Sequence, residues 1–502
     1  MNKRVMAACV LFLIGVVVWV PSSDVIKLIV LGDEVVLGRY SRGHFGSAFL
    51  LTLMTWIAAV ITLALRRKPL SEVMFALVMV YLSTGVSAFL LVVGSGLVTK
   101  PRYIEKTVDV VDVAAGIALK GTVRNRSPHE RVEVLQEDKP EQARSYPDAP
   151  PGYPAFPVTL TTDSRGFRNP DELTQADTVV VGDSFVAGSH VSDEQAWVSL
   201  LRQRIGHTVY NLGVSGSDLT VYLNNFVTVG RALKPSTVVV MVYEGNDLRD
   251  VPALAVATPA PTTGAGQASA AAAESSKPEL DLDIAYLTKA SPVTKGLKRL
   301  SAEVLSQIGR DWPVPDWQQR MGWMPLAVDS PAGKHHYSFE PKRLMYLTQS
   351  ADAFRASEDW RNVTAVLDKF VTLAQRDGFQ LVVAYAPSAP HVVLPLAQQQ
   401  IPAEQLLTFA RYKDKTATGD AEAYKQRVFA GLDMQEQTLM NWCNENRVTC
   451  VSLTAPLRQA AAAGEQVYFT YDQHWTPKGN AVVADVMQAA LQSLPSSASS
   501  SP

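Results

Sequence analysis

The sequence predicts an α/β fold, a doubly wound parallel sheet, preceded by about three transmembrane helices. Three observations predict it. Residues 178–181, TVVV, form a short β-branched apolar run closed by Gly182-Asp183-Ser184, the pattern of a buried strand ending in a sharp turn. Further apolar strand-like runs alternate downstream with amphipathic helical stretches, as strand–helix–strand units do. The apolar excess is concentrated in the first hundred residues, in runs of membrane-crossing length.

Those N-terminal runs are 5–20, 45–65 and 73–98. A bilayer core takes about 20 helical residues, so the second and third clear that length and the first is short. A cleaved signal peptide is the alternative for the first run, although VPSSD is a poor small-residue cleavage site. Lys3 and Arg4 precede the first run, Arg66, Arg67 and Lys68 fill the second loop, and Lys27, Arg39, Arg42, Lys100 and Arg102 lie on the other side. This charge balance does not orient the helices. Three spans with the N-terminus inside, or a cleaved first run, both put residues beyond about 100 outside the cytoplasm.

The net charge of −2 over 502 residues and a pI near 6.5 give no electrostatic reason to expect nucleic-acid binding. Of the three cysteines, Cys9 lies in an apolar run, while Cys443 and Cys450 would close a small loop in an exported domain. They read equally as unrelated thiols. No CxxC or His-rich cluster suggests a metal, and no cofactor is expected.

In chain order, 101–160 is a lead-in segment with short β-like runs at 107–113 and 131–135 and no evident chemistry. The turn TTDSRGFRNPDE follows, read as covering a sheet edge rather than contributing a substrate surface. After Ser184 come a helix at 193–205, a strand at 208–212, a helix at 220–233 and a strand at 236–243 that closes on Glu244-Gly245-Asn246-Asp247. The pattern is interrupted by an insertion, 251–345. It begins with an Ala/Ser/Pro-rich linker (257–277) and contains a helical piece (301–308), Trp312, Trp317, Trp323 and the pair His335-His336. That pair lacks the spaced companions of a ligand set, and the insertion reads as a packed subdomain. A helix at 360–377, a strand at 379–385, a helical region at 421–446 and a strand at 448–453 resume the sheet. Asp472-Gln473-His474-Trp475, a closing helix and a Ser-rich tail (491–502) end the chain.

Ser184 stands at the carboxyl end of a strand, where open α/β sheets place their chemistry. A serine becomes a nucleophile when an imidazole within hydrogen-bond reach takes its proton, and a carboxylate holds that imidazole in the useful tautomer. His474 and Asp472 are the candidates for base and acid. The Ser184 and Gly216 backbone N–H groups and the Asn246 side chain are the candidate oxyanion donors. Asp183 reads as a sheet-end structural residue and Trp475 as packing.

These residues fall in blocks that resemble the SGNH (GDSL-type) hydrolase superfamily over about 160–490. The blocks are Gly182-Asp183-Ser184 with Ala196-Trp197 downstream, Asn211-Leu-Gly-Val-Ser-Gly216, Gly245-Asn246-Asp247, and the terminal Asp-His followed by Gly479. The resemblance implies a flavodoxin-like SGNH domain at 161–490. It also implies Ser184 as nucleophile, Gly216 and Asn246 as oxyanion donors, and Asp472 and His474 as the rest of the triad. Family members usually carry Asp-x-x-His; here the spelling is Asp-x-His-Trp, similar to SGNH-like proteins of exopolysaccharide O-acetylation. Those carry the motif before the serine, whereas this chain has the block order of ordinary esterases.

The expectation is therefore a membrane-anchored serine esterase or O-acyltransferase. It would act on acyl, foremost acetyl, esters of an exported or cell-surface polysaccharide. The place expected is the bacterial inner membrane, with the catalytic domain in the periplasm or cell exterior. Expected partners are the acylated polysaccharide or another ester, the membrane, and polysaccharide-assembly or acyl-donor membrane proteins. The alternatives are a lipid-ester or thioester hydrolase and a noncatalytic polysaccharide-binding scaffold.

Overall fold

The computed structural model describes residues 3–19, 35–36, 40–98, 103–112, 117–138, 150–169, 173–249, 251–254, 291, 293–294, 296, 323–411, 414 and 417–495. The chain divides into two compact units, Met1–Pro101 with Gln267–Gln319, and Arg102–Gly266 with Arg320–Pro502.

The first unit carries the helices Lys3–Val17, Arg42–Ala64 and Leu70–Val98. Phe12 stacks on Trp56 at 4.8 Å, and Trp19 Nε1 donates to Thr52 Oγ1 at 2.7 Å, joining the first two. Leu70–Ser95 is long and apolar enough to cross a membrane by length and composition, and Ala48–Ala64 is a shorter apolar helix. At 15 residues, Lys3–Val17 falls short of the ~20 that a bilayer core takes. Among the described residues, then, one of the three expected spans is both long and apolar enough to cross. The linker at 257–277, the helical piece at 301–308, Trp312 and Trp317 lie outside the described residues.

In the second unit the central sheet consists of β1 (Thr178–Val181), β2 (Val209–Asn211), β3 (Thr237–Tyr243), β4 (Gln380–Ala386) and β5 (Thr449–Ser452). All four pairings are parallel, in the order β2-β1-β3-β4-β5. The register sets Val179 between Tyr210 and Val238. Side chains of a strand alternate between the two faces of its sheet, and the core follows that alternation. Val180, Val239, Met241, Val382 and Ala384 join one cluster; Val179, Val181, Val238, Val240, Leu381 and Val383 join the other. Strands buried on both faces need apolar residues at every position, which is why β1 and β3 read as continuous runs.

Helices cover each face. On the first lie α1 (Trp197–Ile205), α5 (Thr454–Ala463) and α6 (Pro477–Gln492), through Trp197, Leu201, Leu457, Val483 and Met487. On the second lie α2 (Leu219–Thr228), α3 (Glu358–Asp377) and α4 (Met434–Asn446), through Leu223, Phe226, Phe370 and Leu439. The helix expected at 193–205 is broken: Asp193–Gln195 is a separate 3₁₀ turn with a Ser192/Gln195 capping box, and α1 begins at Trp197. The region 421–446 likewise splits into Ala421–Ala430 and α4, either side of Gly431. Cys443 on α4 and Cys450 on β5 form a disulfide, their Cα atoms 6.2 Å apart.

Part of the insertion belongs to the core. Met324–Ser330 and Gly333–Phe339 form an antiparallel hairpin whose Met324, Leu326, Tyr337 and Phe339 pack in the first cluster. His335 and His336 are consecutive on its second strand and so point to opposite faces.

Candidate active site

The switch in strand order lies between β1 and β3, and the turns leaving their carboxyl ends carry the chemistry. Ser184 begins the short helix Ser184–Ala187, capped by Asp183, whose carboxylate accepts from the Phe185 N–H at 2.9 Å. Gly188 then turns away at φ +65°, and a Cβ there would sit 2.6 Å from that of Ala196. Arg168, from the arginine-bearing turn, is only 4% exposed. Its guanidinium donates to the carbonyls of Ala187 (3.0 Å), Gly188 and Val191 (2.7 Å) and pairs with Asp193 at 2.6 Å. It therefore fixes the path of the chain just after the serine.

Asp472 and His474 sit 288 and 290 residues beyond Ser184 in sequence, yet the fold delivers them to it. His474 Nε2 lies 2.7 Å from Ser184 Oγ. Its Nδ1 is hydrogen-bonded to Asp472 Oδ1, which also accepts from the His474 backbone N–H at 3.0 Å. Asp-x-His spacing permits this because the carboxylate caps the turn that bears the ring. The turn is closed by the Tyr468–Trp475 bridge and by Phe469 N–H donating to His474 O at 3.0 Å. Trp475 is buried against Phe185, centroids 4.6 Å apart.

Burial disfavours the His474 imidazolium, but the Asp472 carboxylate outweighs it and raises the His474 pKa above that of an ordinary imidazole. Burial raises Asp472 as well, yet His474 and then His190 hold it well below the usual carboxylate range. Burial pushes Asp183 up to about 6, against its hydrogen bond from Phe185 and the field of His474. Asp183 thus serves as a cap, as its sequence position suggests.

The second and third blocks meet each other. Asn246 Nδ2 donates to Ser217 O at 3.4 Å and to Asp247 Oδ1 at 3.1 Å, so the turn after β3 touches the turn that carries Gly216. Ser189 and Ser215 hydroxyls lie 2.6 Å apart, joining the first block to the second. Gly216, at φ +73°, holds its carbonyl to Arg124 Nη1 at 2.7 Å. Asp247, fully buried, accepts from Tyr222 OH at 2.9 Å and from the Tyr243 N–H at 2.8 Å. Burial and then the Asp183 charge raise its pKa well above an ordinary carboxyl. The hollow at the serine holds about 140 Å³ of empty space, part of it open to solvent, between Ser184, Phe185, Gly188, Ser189, His474, Trp475 and Asn480.

Comparison with known proteins adds to this geometry. Residues 407–502 match a family model described as "SGNH hydrolase-like domain, acetyltransferase AlgX". Residues 407–502 are thus similar to an SGNH hydrolase-like domain. The matched stretch contains Asp472, His474 and Gly479. No curated protein sequence matches the chain. Among solved structures, a member of the lipolytic G-D-S-L family from Veillonella parvula is 10% identical at a TM-score of 0.28, covering 63% of this chain and 98% of its own. An acetyl xylan esterase is 11% identical at 0.25, covering 62% and 99%. An alpha/beta hydrolase enzyme from the metagenome of Lake Arreo, Spain, is 12% identical at 0.28, covering 65% and 99%. Scores this low leave the functional reading to the site itself.

Three residues of the site escape sequence reasoning. Asp138, in the lead-in segment, is buried and accepts from the backbone N–H groups of Thr470 (2.7 Å), Tyr471 (2.8 Å) and Tyr153 (2.8 Å). It thereby anchors the turn that presents Asp472. Gln136 and His190 meet at 2.8 Å through Gln136 Oε1 and His190 Nδ1, and His190 Nε2 lies 3.3 Å from Asp472 Oδ2. The hairpin Arg131–Gln136/Phe156–Thr161 also supplies Phe156, which stacks near Phe469 beside Tyr153. The segment read as lacking chemistry is a wall of the site. The folded chain also gathers His190, Asp472 and His474, and separately His391, Asp433 and Glu436, with ligand-type atoms within 4.8 Å. These side chains could hold a cation; hydrogen bonds account for the same contacts.

Proposed function

We propose that this chain is a serine esterase or O-acyltransferase that works through an acyl-serine intermediate, anchored to a bacterial inner membrane with its site outside the cytoplasm. The observation that carries the reading is the continuous path Ser184 Oγ–His474 Nε2, His474 Nδ1–Asp472 Oδ1. Ser184 Oγ attacks the ester carbonyl carbon as His474 Nε2 takes its proton. The tetrahedral oxyanion is met by the Ser184 and Gly216 N–H groups and the Asn246 amide. Collapse breaks the carbon–oxygen bond, and His474 returns the proton to the departing alcohol. In the second half, water or a sugar hydroxyl gives its proton to His474 and attacks the acyl carbon; the acyl–Oγ bond breaks and His474 returns the proton to Ser184 Oγ.

Similarity of residues 407–502 to an acetyltransferase domain supports acetyl as the acyl group. An exported polysaccharide is the proposed acyl carrier, with assembly or acyl-donor membrane proteins as partners. The apolar helix Leu70–Ser95 supports the anchor. The test uses the full-length chain in mild detergent with p-nitrophenyl acetate, with and without a deacetylated polysaccharide. Ser184-dependent nitrophenol release is expected, and acetyl appearing on the polysaccharide marks a transferase. Release that persists in Ser184→Ala, or no release at all, contradicts the proposal.

A further inference from the structure

We propose that His190 is a positioning residue for the triad, holding the second oxygen of Asp472 so that the first faces His474. This deepens the acyl-serine reading and rests on it. Asp472 Oδ1 is occupied by the side-chain and backbone N–H groups of His474. Its Oδ2 faces His190 Nε2 at 3.3 Å. A carboxylate two residues from its histidine is attached through a short, bendable turn. With only one oxygen engaged it can swing about its Cβ–Cγ bond and leave His474 without a fixed tautomer. Gln136 Oε1 accepts from Nδ1, so Nε2 donates to Oδ2 when His190 is an imidazolium, and that ion pair removes the freedom.

Three features hold His190 in place. Its backbone sits at φ +70°, a conformation uncommon for a side chain larger than glycine and concentrated at functional sites. Arg168 grips the carbonyls on either side, at Gly188 and Val191. Gln136, reaching from the lead-in hairpin, fixes Nδ1 at 2.8 Å. The His190 and His474 rings lie 4.8 Å apart at 45°, so the two imidazoles share one carboxylate rather than merely one neighbourhood. Two cationic rings at that distance repel. A cationic His190 therefore opposes protonation of His474 while it fixes Asp472.

Among the described residues, charged groups act on this pair from several elements. They are Asp183 from the end of β1, Asp472 on the terminal turn, Asp138 behind that turn, and Arg343 from the helix Lys342–Leu347, whose charge also acts on His474.

The experiment compares wild type, His190→Ala and His190→Gln as full-length protein. The readouts are kcat and KM for p-nitrophenyl acetate across pH, the rate of fluorophosphonate labelling, and thermal melting. His190→Ala is expected to lose roughly ten- to a hundredfold in kcat, the scale of a small misplacement, with KM unchanged. Its acidic limb should move to higher pH. His190→Gln, which keeps a donor for Oδ2, should recover most of kcat while the limb stays shifted. Unchanged kcat and pH profile in His190→Ala overturn the inference and leave the acyl-serine reading standing. Equal losses in both variants that follow a lowered melting temperature assign His190 to packing and also overturn it. A wild type that is neither labelled nor active overturns the acyl-serine reading and the inference with it.

Discussion

Two histidine–carboxylate clusters stand at the carboxyl edge of the same sheet, and they do opposite things. Over β1, His474 gives one nitrogen to Asp472 and turns the other to a serine hydroxyl at 2.7 Å. Over β4, the fully buried His391 gives both nitrogens to carboxylates: Nδ1 to Glu244 at 3.3 Å, Nε2 to Asp433 at 2.9 Å. Burial disfavours its charge, but Glu244 and Asp433 outweigh burial and raise its pKa to about 9. Glu244 also accepts the Ser388 N–H at 2.6 Å, and Arg458 donates to His391 O at 3.0 Å. That ring stays protonated at neutral pH and ties the loops after β3 and β4 to the N-terminus of α4. Residue type is the same in both places; what separates a base from a staple is whether one nitrogen is left facing a hydroxyl.

The largest expected effect is at Asp472. Asp472→Asn keeps the shape but makes the wrong tautomer of His474 available, and kcat should fall by about 10⁴, measured against an unchanged melting temperature. A loss smaller than tenfold would mean that His474 does not depend on its carboxylate, and the contrast with His391 would dissolve. Next is Asn246→Ala, which removes a candidate oxyanion donor from the first site. A loss of about 10²–10³ in kcat is expected, with fluorophosphonate labelling slowed and the fold intact. Unchanged kcat would remove Asn246 from the site.

His391→Gln should leave kcat of the folded protein unchanged and cost about 3 kcal/mol of stability, because Glu244 then lies buried without its cation. A pH series sharpens the point. A histidine whose folded pKa is raised stabilises the fold fully below its unfolded pKa of about 6.5. That stabilisation is lost as pH rises through about 9. Denaturant midpoints should fall across that window in wild type and stay flatter in His391→Gln. Activity should do the reverse. His474 must be neutral to act, its pKa is raised, and kcat/KM should climb through an acidic limb above about 6.5.

The sheet was legible because β1, β3 and β4 are buried on both faces and carry an apolar residue at almost every position. Ser184, Asp472 and His474 were legible as residue types at strand ends. Their meeting was not, since it depends on a fold that closes 290 residues of chain. Asp138, Gln136 and His190 left no local pattern at all. Asp138 acts on backbone groups 332 and 333 residues away, and no spacing rule encodes such a contact. The hairpin at Met324–Phe339 went unread because it is antiparallel and lies in an insertion outside the strand–helix alternation of the main sheet. Disulfide pairing was undecidable from spacing, and became clear once α4 and β5 brought Cys443 and Cys450 together.

The most direct measurement is fluorophosphonate labelling of the full-length chain, with the modified residue mapped by peptide mass spectrometry. The account predicts one modified serine, Ser184, labelled rapidly in wild type and negligibly in His474→Ala. Labelling at another residue, or a Ser184 that reacts equally well without His474, would contradict it.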